Sequence, residues 1–230
     1  MPRSLQPRGG ARPHGTPSKV PDLPRDVVDE VRRATRPTRV NDALSRLGRA
    51  VELLERGDPH AAAVEAEKAK ALSPRSSSVR EVLGLAYYGV ERWAEAVTEL
   101  KAYRRMTGRV DQNHVIADCL RGMGRPAEAV PLTDEVLRDR TVPGEVKAEA
   151  VIVAASALAD AGRYPEALAY LGRAKTRQDV AEDYTLRLWY VRGDILARAG
   201  RDGEAAEAFR SIVRHDPGAF DAAERLAQLS

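Results

Sequence analysis

The sequence predicts an all-α solenoid of about five helix pairs with one capping helix at each end. Two observations predict it. A short run ending in alanine recurs after a turn as Gly57-Asp-Pro-His-Ala-Ala62, Glu91-Arg-Trp-Ala-Glu-Ala96, Gly124-Arg-Pro-Ala-Glu-Ala129, Gly162-Arg-Tyr-Pro-Glu-Ala167 and Gly200-Arg-Asp-Gly-Glu-Ala205. The closing alanines lie 34, 33, 38 and 38 residues apart, a period that in helical sequence marks stacked helix-turn-helix units. Twelve residues before each stands a second small residue, Ala50, Gly84, Ala117, Ala155 or Gly193, so the two helices of a unit can approach closely.

Residues 1–25 hold six of the fourteen prolines and three glycines. They lack the large apolar side chains needed to offset the entropy of ordering, so a disordered basic arm is expected. Residues 26–41 follow as an N-terminal capping helix and linker: Val27, Val28, Val31 and Ala34 share a face, and Pro37 stops the helix. Its expected partner is the helix from Asn41 to Arg56, with its stripe of Leu44, Leu47, Val51 and Leu54. The repeat array spans residues 42–219. In its second unit Val79 to Gly89 supplies the first helix, Glu91-Arg92 the turn and Ala94 to Arg105 the second helix. Gly57, Gly124, Gly162 and Gly200 occupy the corresponding turns, where glycine ends a helix without strain. Residues 220–230 close the array with Phe220, Ala223, Leu226 and Leu229 on one face.

The formal charge of +3 is unevenly spread: residues 1–40 hold nine Lys/Arg against four Asp/Glu, and residues 41–230 hold 28 against 30. The basic character therefore belongs to the arm, which could attract a polyanion. Cys119 is the only cysteine, so no intramolecular disulfide can form and an intracellular protein is expected. No apolar stretch follows the basic start at Met1 to Arg8, and the longest apolar run, Ala150 to Ala159, is half of the ~20 residues a membrane helix needs. A cytoplasmic location is expected.

The pattern resembles the tetratricopeptide repeat family. In the last unit Trp189, Gly193, Leu196, Ala205, Phe209 and Pro217 fall at that family's spacings; the second unit supplies Leu83-Gly84, Tyr87, Trp93 and Ala96, and the first Ala50, Ala62 and Pro74. Residues 102–114 and 213–226 are also similar to a group of actinobacterial repeat proteins, a likeness that implies no activity. The tetratricopeptide resemblance implies a right-handed superhelix in which the first helices of the units line a concave groove that holds a peptide segment. The positions it aims into that groove are Glu81, Leu85 and Tyr88 in unit two and His114, Asp118 and Arg121 in unit three. Unit four contributes Ile152 and Ser156, and unit five Arg187, Tyr190, Asp194 and Arg198. Members that hold the carboxylate tails of heat-shock chaperones use lysines, asparagines and an arginine at places that here carry Leu47, Val51, Val82, Asp111 and Val115, so that activity is not implied.

Other chemistry is absent from the sequence pattern. The histidines at 14, 60, 114 and 215 never recur at three or four residues, the spacing that would put two on one helical face for a metal. There is no phosphate-cradling Gly-x-x-x-x-Gly-Lys loop and no Gly-x-Ser-x-Gly elbow. No cofactor and no catalytic residue is expected. Arg104, Arg105 and Arg109 surround a glycine-bearing loop and form a candidate anion clamp, since guanidinium groups bond oxyanions in pairs. The expected function is a non-enzymatic protein-interaction scaffold with an unidentified protein or peptide partner. The alternative is an RNA- or ribosome-associated factor that uses the basic arm, for which Arg8-Gly9-Gly10 and Arg12 are the suggestive residues.

Overall fold

The computed structural model describes residues 23–174 and 183–229, so nearly all of the basic arm lies outside the described residues. Among the described residues the chain forms twelve α-helices and no strand. After α1 (Arg25–Ala34) come five pairs: α2 (Val40–Glu55) with α3 (Pro59–Leu72), α4 (Ser77–Gly89) with α5 (Trp93–Thr107), α6 (Asn113–Gly122) with α7 (Ala129–Arg138), α8 (Gly144–Asp160) with α9 (Tyr164–Leu171), and α10 (Asp183–Arg198) with α11 (Asp202–His215). Helix α12 (Ala222–Gln228) packs on α11. Each second helix touches both its own first helix and the next, the arrangement of a solenoid.

The recurring motif makes the turn inside each pair. The N–H of Asp58, Arg92, Arg125, Arg163 and Arg201 bonds back to the carbonyl five residues earlier, at 2.8 to 2.9 Å. This Schellman arrangement needs a left-handed residue immediately before the donor. Gly162 supplies it with φ of +75°, and in unit two Glu91 adopts it without being glycine, at φ +60°. The closing alanines at 62, 96, 129, 167 and 205 are all wholly buried. Four of these turns lead into the second helix through Arg-x-x-Glu, and each arginine pairs with its glutamate at the surface.

The second small residue permits the close approach expected of it, against a large side chain of the partner helix. A Cβ on Gly84 would stand 2.6 Å from Leu100 Cγ, and one on Gly193 would stand 2.8 Å from Phe209 Cζ. Each glycine is thus the socket for a large side chain one turn beyond the closing alanine. Helix α4 also starts two residues earlier than expected, because its N-terminal amides find acceptors: Ser76 Oγ takes the Val79 N–H, and the Glu30 carboxylate takes the N–H of Ser77 at 2.8 Å.

Glu30 belongs to α1, whose partner was expected to be α2. The helix packs against both α2 and α4, with Val31 wholly buried among Leu44, Leu47 and Val79. Pro37 opens a 3-10 turn, Pro37–Arg39, and α1 itself ends at Ala34. The core is a row of adjoining clusters: Leu83, Leu100, Ile116 and Leu120 join units one to three, and Ile152, Leu158 and Ile195 join units four and five. Glu99 of α5, 3% exposed, lies between Lys70 Nζ at 2.6 Å and Arg80 Nη1 at 2.7 Å, so three helices share one buried charge site.

Candidate partner-binding face

The first helices α4, α6, α8 and α10 stand side by side and carry the twelve residues expected to face a groove. Five of these meet one another. Tyr88 Oη donates to Asp118 Oδ2 at 2.6 Å, and Arg121 Nε donates to Asp118 Oδ1 at 2.8 Å. Arg121 then reaches unit four, donating to Asp160 Oδ2 at 3.0 Å. Arg198 of unit five donates to the other oxygen of Asp160 at 3.1 Å and to the Ala159 carbonyl at 2.9 Å. Asp194 accepts from Arg225 of α12 at 3.0 Å and lies 3.7 Å from Arg198. The result is a ladder of alternating charge from α4 to α12, built near the C-terminal ends of the first helices. Cations there also complement the helix dipoles.

Asp118 and Asp194 are separated by this ladder and form no acid/base pair. Burial and the neighbouring Asp118 carboxylate push the Tyr88 phenol well above its usual value, so it stays a proton donor at any physiological pH. Sequence reasoning missed Asp160 and Arg225. Tyr88 and Arg121 stand three residues before the left-handed turn residue, whereas Asp160 and Arg198 stand two before it, so the register shifts by one between units three and four.

A second group lies nearer the helix starts. Gln112 Nε2 donates to Glu81 Oε1 at 2.8 Å, and burial pushes the Glu81 carboxyl up, an effect the Gln112 bond only partly offsets. His114 Nδ1 is 2.8 Å from the Asp111 carbonyl. A carbonyl only accepts, so Nδ1 carries the proton and Nε2 is left as an acceptor. Burial pushes this imidazole below its ordinary 6.5, which makes it neutral near pH 7. Arg187 pairs with Glu149, whose carboxyl burial raises against that pairing. Helices α6 and α10 both pack on α8, so His114 of α6, Glu149 of α8 and Arg187 of α10 form a polar group at mid-face, with Arg187 and Glu149 in direct contact. Ile152, expected to face the groove, is instead buried in the core of units four and five; Ser156 and Leu85 are half-buried.

Tyr190 sits at the far end, edge-on to Phe209 with centroids 5.7 Å apart and 5.1 Å from the ring of Phe220. Phe220 is 54% exposed and holds φ at +55°, an uncommon conformation for a bulky residue. Of the three loop arginines, Arg104 pairs with Glu135 at 2.7 Å and Arg109 pairs with Asp111, while Arg105 is exposed. Two of the three guanidinium groups therefore already hold carboxylates. Among the described residues no group of three or more His, Cys, Asp or Glu is placed to hold a metal. Cys119 is buried, and burial pushes its thiol up to about 12. No described helix is long and apolar enough to cross a membrane.

Comparison with known proteins matches residues 115–183 and residues 186–229 to tetratricopeptide repeat profiles. Among solved structures, a thermophilic tetratricopeptide repeat protein of Thermus thermophilus superposes with a TM-score of 0.63 at 18% identity, over 81% of this chain and 98% of that one. The apo quorum sensor NprR of B. thuringiensis superposes with a TM-score of 0.69 at 14% identity, over 88% of this chain and 62% of its own length. YrrB, described as having an unusual peptide-binding site, gives 0.55 at 18% identity over 86% and 96%. These likenesses show the fold. No curated protein matches the chain.

Proposed function

For a chain carrying tetratricopeptide repeats over residues 115–183 and 186–229, we propose a non-enzymatic scaffold that holds a segment of a protein partner against the first helices of units two to five. The observation that carries this reading is the mid-face cluster of His114, Glu149 and Arg187. It presents an unprotonated ring nitrogen, a half-buried carboxylate and an exposed guanidinium on a rigid surface, with Tyr190 beyond it. Such groups recognise a peptide backbone and polar side chains, and tyrosine and arginine are the residues that most often anchor interfaces. Two of the similar structures bear on it through their descriptions, NprR in complex with its cognate peptide NprX and YrrB with its peptide-binding site.

The ladder residues Tyr88, Asp118, Arg121, Asp194 and Arg198 then serve this surface by holding the units in register. Arg105 adds an exposed cation at the edge of the array. The protein is expected in the cytoplasm of a bacterium, and the finer likeness to actinobacterial repeat proteins rests on residues 102–114 and 213–226.

Site-specific photo-crosslinking tests the reading. A crosslinking residue at position 187 should capture the co-purifying partner in the native cell, and one at Arg210, exposed on α11, should not. Capture only from position 210 would remove the reading.

A further inference from the structure

The apolar starts of α2 and α4 are covered. Helix α3 packs on α2 and α4 from one side. Helix α1 touches the same two helices, and its Val27, Val28 and Val31 share one apolar cluster with Leu44 and Leu47 of α2, Ala69 and Leu72 of α3, and Val79 and Val82 of α4. Its hold is specific. The Glu30 carboxylate accepts from Ser76 Oγ at 2.6 Å, from the Ser77 N–H at 2.8 Å and from the Ser78 N–H at 3.4 Å, and so occupies the positive N-terminal end of α4. Thr35 Oγ1 adds a buried bond to Ser73 Oγ at 2.6 Å. The hold is also narrow: Val31 is the one buried residue of α1, against five in each of α2 and α4. Arg25, Asp26, Asp29, Arg32 and Arg33 all face water. An end helix attached through so few buried groups opens at lower cost than the units beneath it.

We propose that the apolar surface of α2 and α4 beneath α1 is a binding site for an amphipathic helix, that α1 is its resident occupant, and that a partner helix with valine-like residues and a carboxylate at the place of Glu30 enters by displacing α1. The apolar floor accepts the apolar face of the helix, and the exposed amides of α4 select a carboxylate at one position of it. This deepens the scaffold reading and rests on it, but it concerns a stretch of surface that the mid-face cluster does not reach.

The probe is a labelled synthetic peptide of residues 23–39 of this chain, titrated into two full-length proteins. In Val31→Asp the resident helix is expelled, and the peptide should bind at least tenfold more tightly than to the unchanged protein. A Glu30→Gln peptide should lose most of that affinity, and a Val31→Asp peptide should not bind. Equal binding to both proteins, or none to a Val31→Asp protein whose helical circular dichroism is intact, overturns the proposal. So does a dimer with exchanged α1 helices, which would make a second copy the occupant. Should Val31→Asp fail to fold, hydrogen exchange on the unchanged protein decides. Amides of α1 exchanging well before those of α2 and α4 support displacement, and exchange only with global unfolding refutes it. Because the probe is the chain's own helix, its failure leaves crosslinking at position 187 untouched.

Discussion

Arg121 and Asp160 come from different repeat units, yet Arg121 Nη1 donates to Asp160 Oδ2 at 3.0 Å. Arg198, from a third unit, takes the other oxygen of the same carboxylate. One side chain thereby ties three successive first helices.

Asp160→Ala should therefore weaken the array at those joints. The groups are about one-third exposed, so each pair contributes only about 0.5–1 kcal/mol in dilute salt. Loss of both should cost about 1–2 kcal/mol, with the cost shrinking as salt screens the pairs. Urea unfolding at low and at 1 M salt checks this; an equal loss at both would show that packing, not charge, holds the joint.

Glu91→Gly should stabilise the protein. Glu91 holds φ at +60° where the other four units place glycine, and a left-handed non-glycine residue costs about 1–2 kcal/mol. Part of that is returned as extra entropy of the unfolded chain, which leaves a gain of about 0.5–1 kcal/mol in unfolding free energy, read from the shift of the urea midpoint. In the opposite sense, Gly162→Ala should lose about 1 kcal/mol. A destabilised Glu91→Gly would mean that this side chain does something in the turn beyond accepting its strain.

Both results bear on what the residues reveal unaided. The five turns and the buried alanines are legible because they repeat with one chemistry and one local geometry. The ladder is not, since its members stand 30 to 39 residues apart, change sign from unit to unit and slip by one position between Arg121 and Asp160. Ile152 falls at a groove position by period alone, yet it is buried because the neighbouring α10 covers α8. The placing of α1 on α4 was hidden for a similar reason. Its apolar stripe is visible, whereas the Glu30 contact that selects α4 joins residues 46 or more apart.

Gly193→Ala tests the socket. The new Cβ would stand 2.8 to 3.0 Å from three atoms of the Phe209 ring, and a ring in a wholly buried site cannot turn aside cheaply. Overpacking should cost about 1–3 kcal/mol, against the roughly 1 kcal/mol that alanine gains over glycine in a helix. The double variant with Phe209→Leu should recover part of the loss. Thermal unfolding of the single and double variants checks this, and simple additivity of the two changes would refute the contact.

His114 gives the protein a stability slope below neutral pH. Its imidazole is held below the ordinary 6.5 by burial, so as pH falls from 6.5 the unfolded chain takes up the proton first. Stability present above 6.5 is then lost until the folded-state value is passed. The carboxyls of Glu81 and Glu149 act in the opposite sense and at lower pH. Burial raises both above their ordinary 4.5, so the folded state protonates first and gains stability as pH falls toward 4.5. His114→Asn should accordingly flatten the stability curve just below pH 6.5, while Glu81→Gln should change it only nearer pH 4.5. Urea midpoints at half-unit pH steps separate the two. An unchanged slope in His114→Asn would mean that the ring is open to water and titrates alike in both states, and its neutral Nε2 would then no longer be available as a fixed acceptor on the inner face.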